Sequence, residues 1–160
     1  MESALAARVQ EILEAGGGET RDGVLFLPIV TLDSGAQQGI DAKLRWVLAP
    51  SGGPAVTIGA ENVHLLHEAL EWKRDRFDDA IEARARELSL PADDLLFSYP
   101  VTALVDAILA KRSSYLTRLA LSFLRTTELR PLRAPILAVT RDDSMPGPIK
   151  DLAARLVVPV

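Results

Sequence analysis

Both histidines of this chain lie in one short stretch, "ENVHLLHEALEW", residues 61–72, together with three glutamates. Imidazole and carboxylate groups at such spacing could bind a metal ion or exchange protons. A di-iron centre, however, requires a Glu-x-x-His motif from each of two helices, and Glu61-x-x-His64 occurs once. The pair His64 and His67 also lacks the i, i+4 spacing of a zinc protease helix. We therefore expect solvated residues on a helix face, with no catalytic residue and no metal site here.

The same stretch predicts a protein-binding surface instead. On a helical wheel, Leu65 and Trp72 lie side by side on the polar side of the helix, opposite its apolar stripe. Tryptophan is enriched at interface hot spots. We expect Leu65 and Trp72, with the acidic residues Glu68 and Asp75 around them, to contact a protein partner. The alternative is that the N-terminal sheet or helix packs over Trp72 within the same domain.

A second candidate surface is basic. Lys111, Arg118 and Arg125 repeat every seven residues, which on one helix would form a single stripe. Residues 111–133 hold six basic residues and one acidic residue, whereas residues 61–94 hold ten acidic and five basic residues. The stripe could bind an anion, or it could pair with the acidic segment within the chain or across a homodimer. Nucleic acid is not expected, because this region has only Tyr115 and Phe123 for base stacking and the chain has no Gly-rich phosphate loop.

An enzymatic reading depends on Asp106, the only charged residue in the apolar stretch "YPVTALVDAILA". A carboxylate held in apolar surroundings can act as a general acid or base. This alternative requires a pocket around Asp106 or the histidines that forms only in three dimensions. No nucleophile, metal or phosphate motif is assembled in the sequence, so we expect no cofactor and favour a binding protein over an enzyme.

Composition indicates one soluble domain over residues 1–160. About half of the 160 residues are hydrophobic and a quarter are charged, as in globular proteins. The absence of cysteine excludes disulfides and thiolate chemistry. The chain begins without the features of a signal peptide and contains no apolar run long enough to span a membrane, so we expect a cytoplasmic protein.

The first 60 residues predict a helix followed by a three-stranded antiparallel meander. Ser3 is placed to cap the helix, and glycines 16–18 end it. The strands are expected in "GVLFLPIVTL", where Pro28 suggests an edge position or a bulge, in "IDAKLRWVL", and in "AVTIG".

Residues 61–160 predict a helical layer. One long helix is expected over 61–88, a short helix or turn in "SLPADDLLF", and further helices from Pro100, over 113–127 and near Pro148. Residues 131–143 fit either a helix or a buried strand, and we favour the helix. The expected fold is α+β and mainly α, and the expected function is a non-enzymatic protein-binding, adaptor or regulatory domain.

Overall fold

The structure, a computed structural model, describes residues 3–158. It has the expected α+β class, with helix as the main component. The chain groups into two compact units. In the described part, the first unit contains residues 3–66 and 75–99, and the second contains residues 67–74 and 100–158. The prediction of a single domain over 1–160, divided at residue 60, stays a prediction.

The first unit is built on an antiparallel sheet whose five strands follow chain order. They are β1 (Glu19–Arg21), β2 (Val24–Thr31), β3 (Gln37–Ile40), β4 (Trp46–Ala49) and β5 (Val56–Thr57). The predicted three-stranded meander was wrong by two strands. Strand β1 is short and polar, so it has no apolar pattern to reveal it.

The second missed strand is β3, most of which precedes the predicted strand 40–48, in a stretch that was expected to be a turn. Strand β3 ends at Ile40, and β4 begins at Trp46. Between them the Asp41 carboxylate accepts hydrogen bonds from the backbone N–H groups of Lys43 (3.0 Å) and Arg45 (2.9 Å). Leu44 adopts a left-handed conformation with a φ of 62°. An aspartate that bonds backbone groups two residues on stabilises a turn, and here that turn replaces the middle of the expected strand.

Strand β2 has a bulge at the predicted position. The register between β2 and β3 shifts between Pro28 and Val30. Opposite the bulge, a side chain at Gly39 would collide with the carbonyl oxygen of Leu27 and the ring of Phe26. The two strands therefore approach each other as closely as only glycine permits.

The predicted long helix over 61–88 was also wrong. The chain forms a 3₁₀ helix, Val63–Glu71, and then α2, Arg74–Leu88. The i, i+3 hydrogen bonds of the 3₁₀ helix continue to its end, where the Trp72 N–H donates to the Ala69 carbonyl at 3.2 Å. Of the six apolar positions on which the prediction was based, Leu88 is half-buried and the other five are buried, namely Val63, Leu66, Leu70, Phe77 and Ile81. Burial pattern alone did not distinguish one long helix from two segments that each bury the same positions.

Helices α1 and α2 are connected to the rest of the first unit by specific hydrogen bonds. Helix α1 (Ala4–Glu14) starts at the predicted cap, where Ser3 Oγ accepts from the Ala6 N–H at 3.0 Å. Its Arg8 Nε donates to the Leu88 carbonyl at 3.2 Å. From α2, Arg84 Nε donates to the carbonyl of Pro28, at the bulge, at 2.9 Å. The first unit ends with α3 (Ala92–Ser98), where a short helix or turn was expected.

The second unit is helical. Its α-helices are α4 (Val101–Ala110), α5 (Ser114–Phe123), α6 (Arg133–Thr140) and α7 (Gly147–Leu156), with two short 3₁₀ turns at Thr126–Glu128 and Arg130–Leu132. Helix α6 confirms the helical reading of residues 131–143. Across residues 3–158, the structure contains no helix that is both long and apolar enough to cross a bilayer.

Candidate functional site

The residues predicted to bind a partner do not form an exposed apolar face. Leu65, in the first unit, and Trp72, in the second unit, are both half-buried. Glu68 is half-buried, and Asp75 is exposed at the start of α2. Glu68, Trp72 and Asp75 each already have an interaction partner. Their role in binding a partner stays a prediction.

Within the described residues, neither histidine belongs to a cluster of metal-binding side chains. His64 is half-buried and His67 is exposed. Among residues 3–158, no three histidine or acidic side chains come together in a group that could hold a metal ion.

The most exposed large apolar side chain in the described part of the chain is Phe97, on α3, which is 92% exposed. Its neighbours in the chain are fixed. Leu95 and Tyr99 are buried, and Ser98 Oγ accepts a 3.1 Å hydrogen bond from Trp46 Nε1 while donating to the Leu95 carbonyl at 2.6 Å. The exposed ring therefore projects from a short segment that is anchored in the core of the first unit on both sides.

The exposure of Phe97 was not predicted from the sequence, although a signal was present. Leu95, Leu96 and Phe97 are consecutive, so on a helix they cover about 200° of its circumference. A seven-residue helix on the surface buries one face only, and an apolar residue at one end of that arc must therefore point to solvent. The burial of Leu95 determined that the residue at the exposed end is Phe97.

Charge differs strongly between the two units. In the described residues, the first unit carries fourteen acidic and seven basic side chains, a net charge of −7. The second carries seven acidic and eleven basic side chains, a net charge of +4. Phe97 lies in the acidic unit, and the exposed carboxylates of Asp93 and Asp94 occupy the first turn of its helix.

The predicted basic residues are exposed, but they do not share one helix. Lys111 is the C-cap of α4, Arg118 lies in α5, and Arg125 follows the end of α5. The heptad reading failed because α4 ends at Ala110 and Ser113 caps a new helix, its Oγ accepting from the Leu116 N–H at 3.3 Å. Arg118 lies over the ring of Tyr115, at 5.9 Å from the ring centroid.

A pocket of about 380 Å³ opens in the second unit. It is bounded by the C-terminal part of α4, by one face of α6 and by the segment that joins α6 to α7. Its lining residues are Asp106, Leu109, Ala110, Arg112, Pro135, Ala138, Val139, Arg141, Asp142 and Met145. Asp106 is thus in a concave site, as the enzymatic alternative required, but its side chain is exposed and not desolvated.

One wall of this pocket is held by a two-point ion pair. Arg112 Nε and Nη2 donate to the two carboxylate oxygens of Asp142 at 2.9 and 2.8 Å. The hydrogen bonds from Arg112, and then those from the hydroxyl and N–H of Ser144, hold the pKa of the Asp142 carboxyl far below its usual range. Arg112 has a left-handed φ of 58°, so the ion pair includes a residue in a conformation that usually favours glycine.

A second two-point ion pair of the second unit joins Arg74, the first residue of α2, to Glu128. Arg74 donates to both carboxylate oxygens of Glu128 at 2.7 and 2.8 Å and lies over the ring of Phe123, at 4.9 Å from its centroid. Glu128 also accepts from the Arg125 N–H at 2.8 Å. Burial by itself would raise the pKa of Glu128, but these hydrogen bonds and the charge of Arg74 outweigh it and lower the pKa.

Comparison of this chain with protein-family models, with curated proteins and with solved structures gave no match. The function has therefore to be inferred from the residues themselves.

Proposed function

We propose that this chain is a non-enzymatic protein-binding domain, and that Phe97 is the centre of its contact surface. The observation that carries the proposal is the 92% exposure of a phenylalanine on an anchored segment. Moving a phenylalanine side chain from water into a binding pocket is worth about 1.5–3 kcal/mol. The fold forgoes this stabilisation, and a partner that covers the ring gains it.

Rigidity of the segment supports the same proposal. Leu95 and Tyr99 are core residues, and Ser98 is held by two hydrogen bonds, so the backbone loses little conformational freedom when a partner binds. Aromatic side chains, above all tryptophan and tyrosine, are enriched among the residues that act as hot spots.

The chemistry around Phe97 indicates the kind of partner. Asp93 and Asp94 lie on the same short helix, in a unit with a net charge of −7. A complementary surface has an apolar pocket for the ring and basic side chains at its edge. We therefore infer a partner with a basic, apolar contact site, either a different protein or a second copy of this chain.

Site-specific photocrosslinking tests this proposal. A benzophenone amino acid replaces Phe97 in one preparation and Leu25, an apolar residue of β2 that is 45% exposed, in a control preparation. Each is irradiated alone and in the soluble extract of the cells that make the protein. We expect a discrete adduct from position 97 and none of the same mass from position 25.

Competition makes the test specific to the ring. Excess unlabelled wild-type chain should suppress the adduct, whereas excess Phe97→Ser should not. The substitution should leave the free energy of unfolding within about 0.5 kcal/mol, because an exposed side chain contributes little to the fold. Equal suppression by Phe97→Ser, or the absence of any adduct at position 97, would refute the proposal.

Anion binding through the second unit is the second candidate. Its net charge of +4 and the exposure of Lys111, Arg118 and Arg125 favour it. Binding of polyphosphate should then weaken steeply with salt, and Arg118→Glu should reduce that salt dependence. Arg86→Glu, at an exposed position of the first unit, is the matched control and should change neither the binding of polyphosphate nor its salt dependence. Salt-independent binding would rule this candidate out.

A further inference from the structure

The pocket lined by Asp106 and Arg141 has the size of a small-molecule site. Its volume of about 380 Å³ falls within the range of roughly 300–1,000 Å³ that is usual for ligand pockets. Leu109, Val139 and Met145 line it and are themselves buried, so they form an apolar surface that is part of the packed core.

Two of the four charged residues in the pocket neutralise each other. The carboxylate of Asp142 accepts two hydrogen bonds from Arg112 and two more from Ser144, at 3.0 Å from its N–H and 2.6 Å from its Oγ. Its side chain is only 10% exposed. The carboxylate of Asp142 and the guanidinium of Arg112 therefore stabilise the wall of the pocket and are already bonded to each other.

The other two charged residues, Asp106 and Arg141, are available to a ligand. Both line the pocket and both are exposed. Neither side chain makes a hydrogen bond or an ion pair with any residue between 3 and 158, in contrast to Arg112 and Asp142 beside them. The pocket thus offers one unused anion and one unused cation above an apolar surface.

We propose that this pocket binds a small zwitterion with an apolar side chain, of the apolar α-amino-acid class. The guanidinium of Arg141 binds the ligand's carboxylate, because its planar donors match a carboxylate in a two-point geometry. The carboxylate of Asp106 binds the ammonium group. The apolar side chain contacts Leu109, Val139 and Met145. A ligand with only a carboxylate would be repelled by Asp106, and a ligand with only an amine would be repelled by Arg141, so the pair selects for both charges.

Met145 provides a direct reporter of binding. The chain has two methionines, Met1 and Met145, so selective methyl labelling gives one signal in the pocket and one elsewhere in the sequence. Three probes of matched carbon skeleton are titrated by NMR: leucine, isocaproate, which lacks its amine, and isoamylamine, which lacks its carboxylate. We expect leucine to shift the Met145 methyl signal saturably, and the two single-charge probes to bind at least tenfold more weakly.

Variants of the two charged residues separate recognition from folding. Arg141→Gln and Asp106→Asn should each weaken leucine binding at least tenfold, whereas Arg155→Gln, at an exposed position of α7 outside the pocket, should not. Asp106→Asn should in addition improve isocaproate binding relative to the wild type, because it removes the repulsion. A purely structural role of Asp106 would not produce that change in preference.

Three results would overturn the proposal: no shift of the Met145 signal with leucine up to its solubility limit, equal binding of leucine and isocaproate by the wild type, or leucine binding that neither Arg141→Gln nor Asp106→Asn weakens. Because Phe97 does not line the pocket, Phe97→Ser should leave the leucine titration unchanged. The proposal for the pocket and the proposal for the protein-binding surface can therefore be refuted independently of each other.

Discussion

The phenol of Tyr99 donates a 2.6 Å hydrogen bond to Oε1 of Gln38, whose side chain is completely buried on strand β3. Trp46 and Phe77 pack edge-on against the same ring, each at 4.8 Å between centroids. The bond connects the end of α3 to the sheet, and so it also holds the segment that presents Phe97.

Removing that phenol should destabilise the first unit. Tyr99→Phe leaves the buried Gln38 oxygen without its donor, which should lower the free energy of unfolding by about 1–3 kcal/mol. Tyr115→Phe is the control, because Tyr115 is 52% exposed and its hydroxyl bonds Glu71 at the surface, where water can replace it. Urea denaturation of both variants measures the difference, and equal losses would contradict the assignment of the Tyr99 bond as a core interaction.

Substitution by alanine is expected to have different effects on stability at two glycines, one crowded and one not. Gly39→Ala places a methyl group against the Leu27 carbonyl, and such overpacking should cost about 1–3 kcal/mol. Gly147, at the start of α7, has open space around the added atom and lies in a helix, where alanine is preferred. Gly147→Ala should change the free energy of unfolding by no more than about 0.5 kcal/mol, because the helical preference for alanine is opposed by Pro148, which restricts the residue before it. Thermal unfolding of the pair checks this, and a Gly39→Ala variant of unchanged stability would disprove the proposed collision.

The Arg74–Glu128 ion pair predicts a loss of stability in acid. Because the pKa of Glu128 is lowered in the folded state, its ionised form stabilises the protein fully above the ordinary carboxyl pKa of 4.5, and that contribution is lost as the pH falls below this value. Glu128→Gln should cost about 2 kcal/mol at neutral pH, since hydrogen bonds to charged groups are lost. The gap between variant and wild type should narrow when unfolding is measured at progressively lower pH. A gap that does not depend on pH would mean that the charge of Glu128 is not what stabilises the contact.

The left-handed conformation of Arg112 can be tested with two substitutions that both remove the guanidinium. Arg112→Ala and Arg112→Gly lose the bonds to Asp142 equally, but glycine adopts a φ of 58° without the steric penalty of a Cβ. The glycine variant should therefore melt about 2–4 °C above the alanine variant. Differential scanning calorimetry gives the comparison, which the opposite order would contradict.

Sequence patterns predicted the elements whose burial follows a strong period, and failed where a local contact ended an element. The helices α1, α4 and α5 follow Ser3, Pro100 and Ser113, which are caps or prolines that are visible in the sequence. The turn at Asp41 depends on its side chain bonding two backbone N–H groups, which alternation of apolar residues cannot reveal. The division of residues 61–88 was invisible because a 3₁₀ helix and an α-helix bury the same apolar residues here.

The candidate sites were harder to predict than the fold, for a physical reason. The pocket is lined by residues of α4, of α6 and of the segment after α6, which are far apart in the sequence. A local sequence pattern does not predict that these segments contact each other. The unused charges of Asp106 and Arg141 could be recognised only after the pairing of Arg112 with Asp142 was known. Phe97 was within reach of sequence reasoning, but required the burial of Leu95 to be assigned first.

The exposure of Phe97 has a consequence for how the protein can change over generations. Because the ring contributes little to folding, selection for a stable chain alone does not maintain phenylalanine at this position, and mutation can replace it with a polar residue at no structural cost. Orthologues that keep an aromatic residue at position 97 would thus mark a constraint imposed from outside the fold, whereas drift to serine, lysine or glutamate would mark a ring that no partner has ever required.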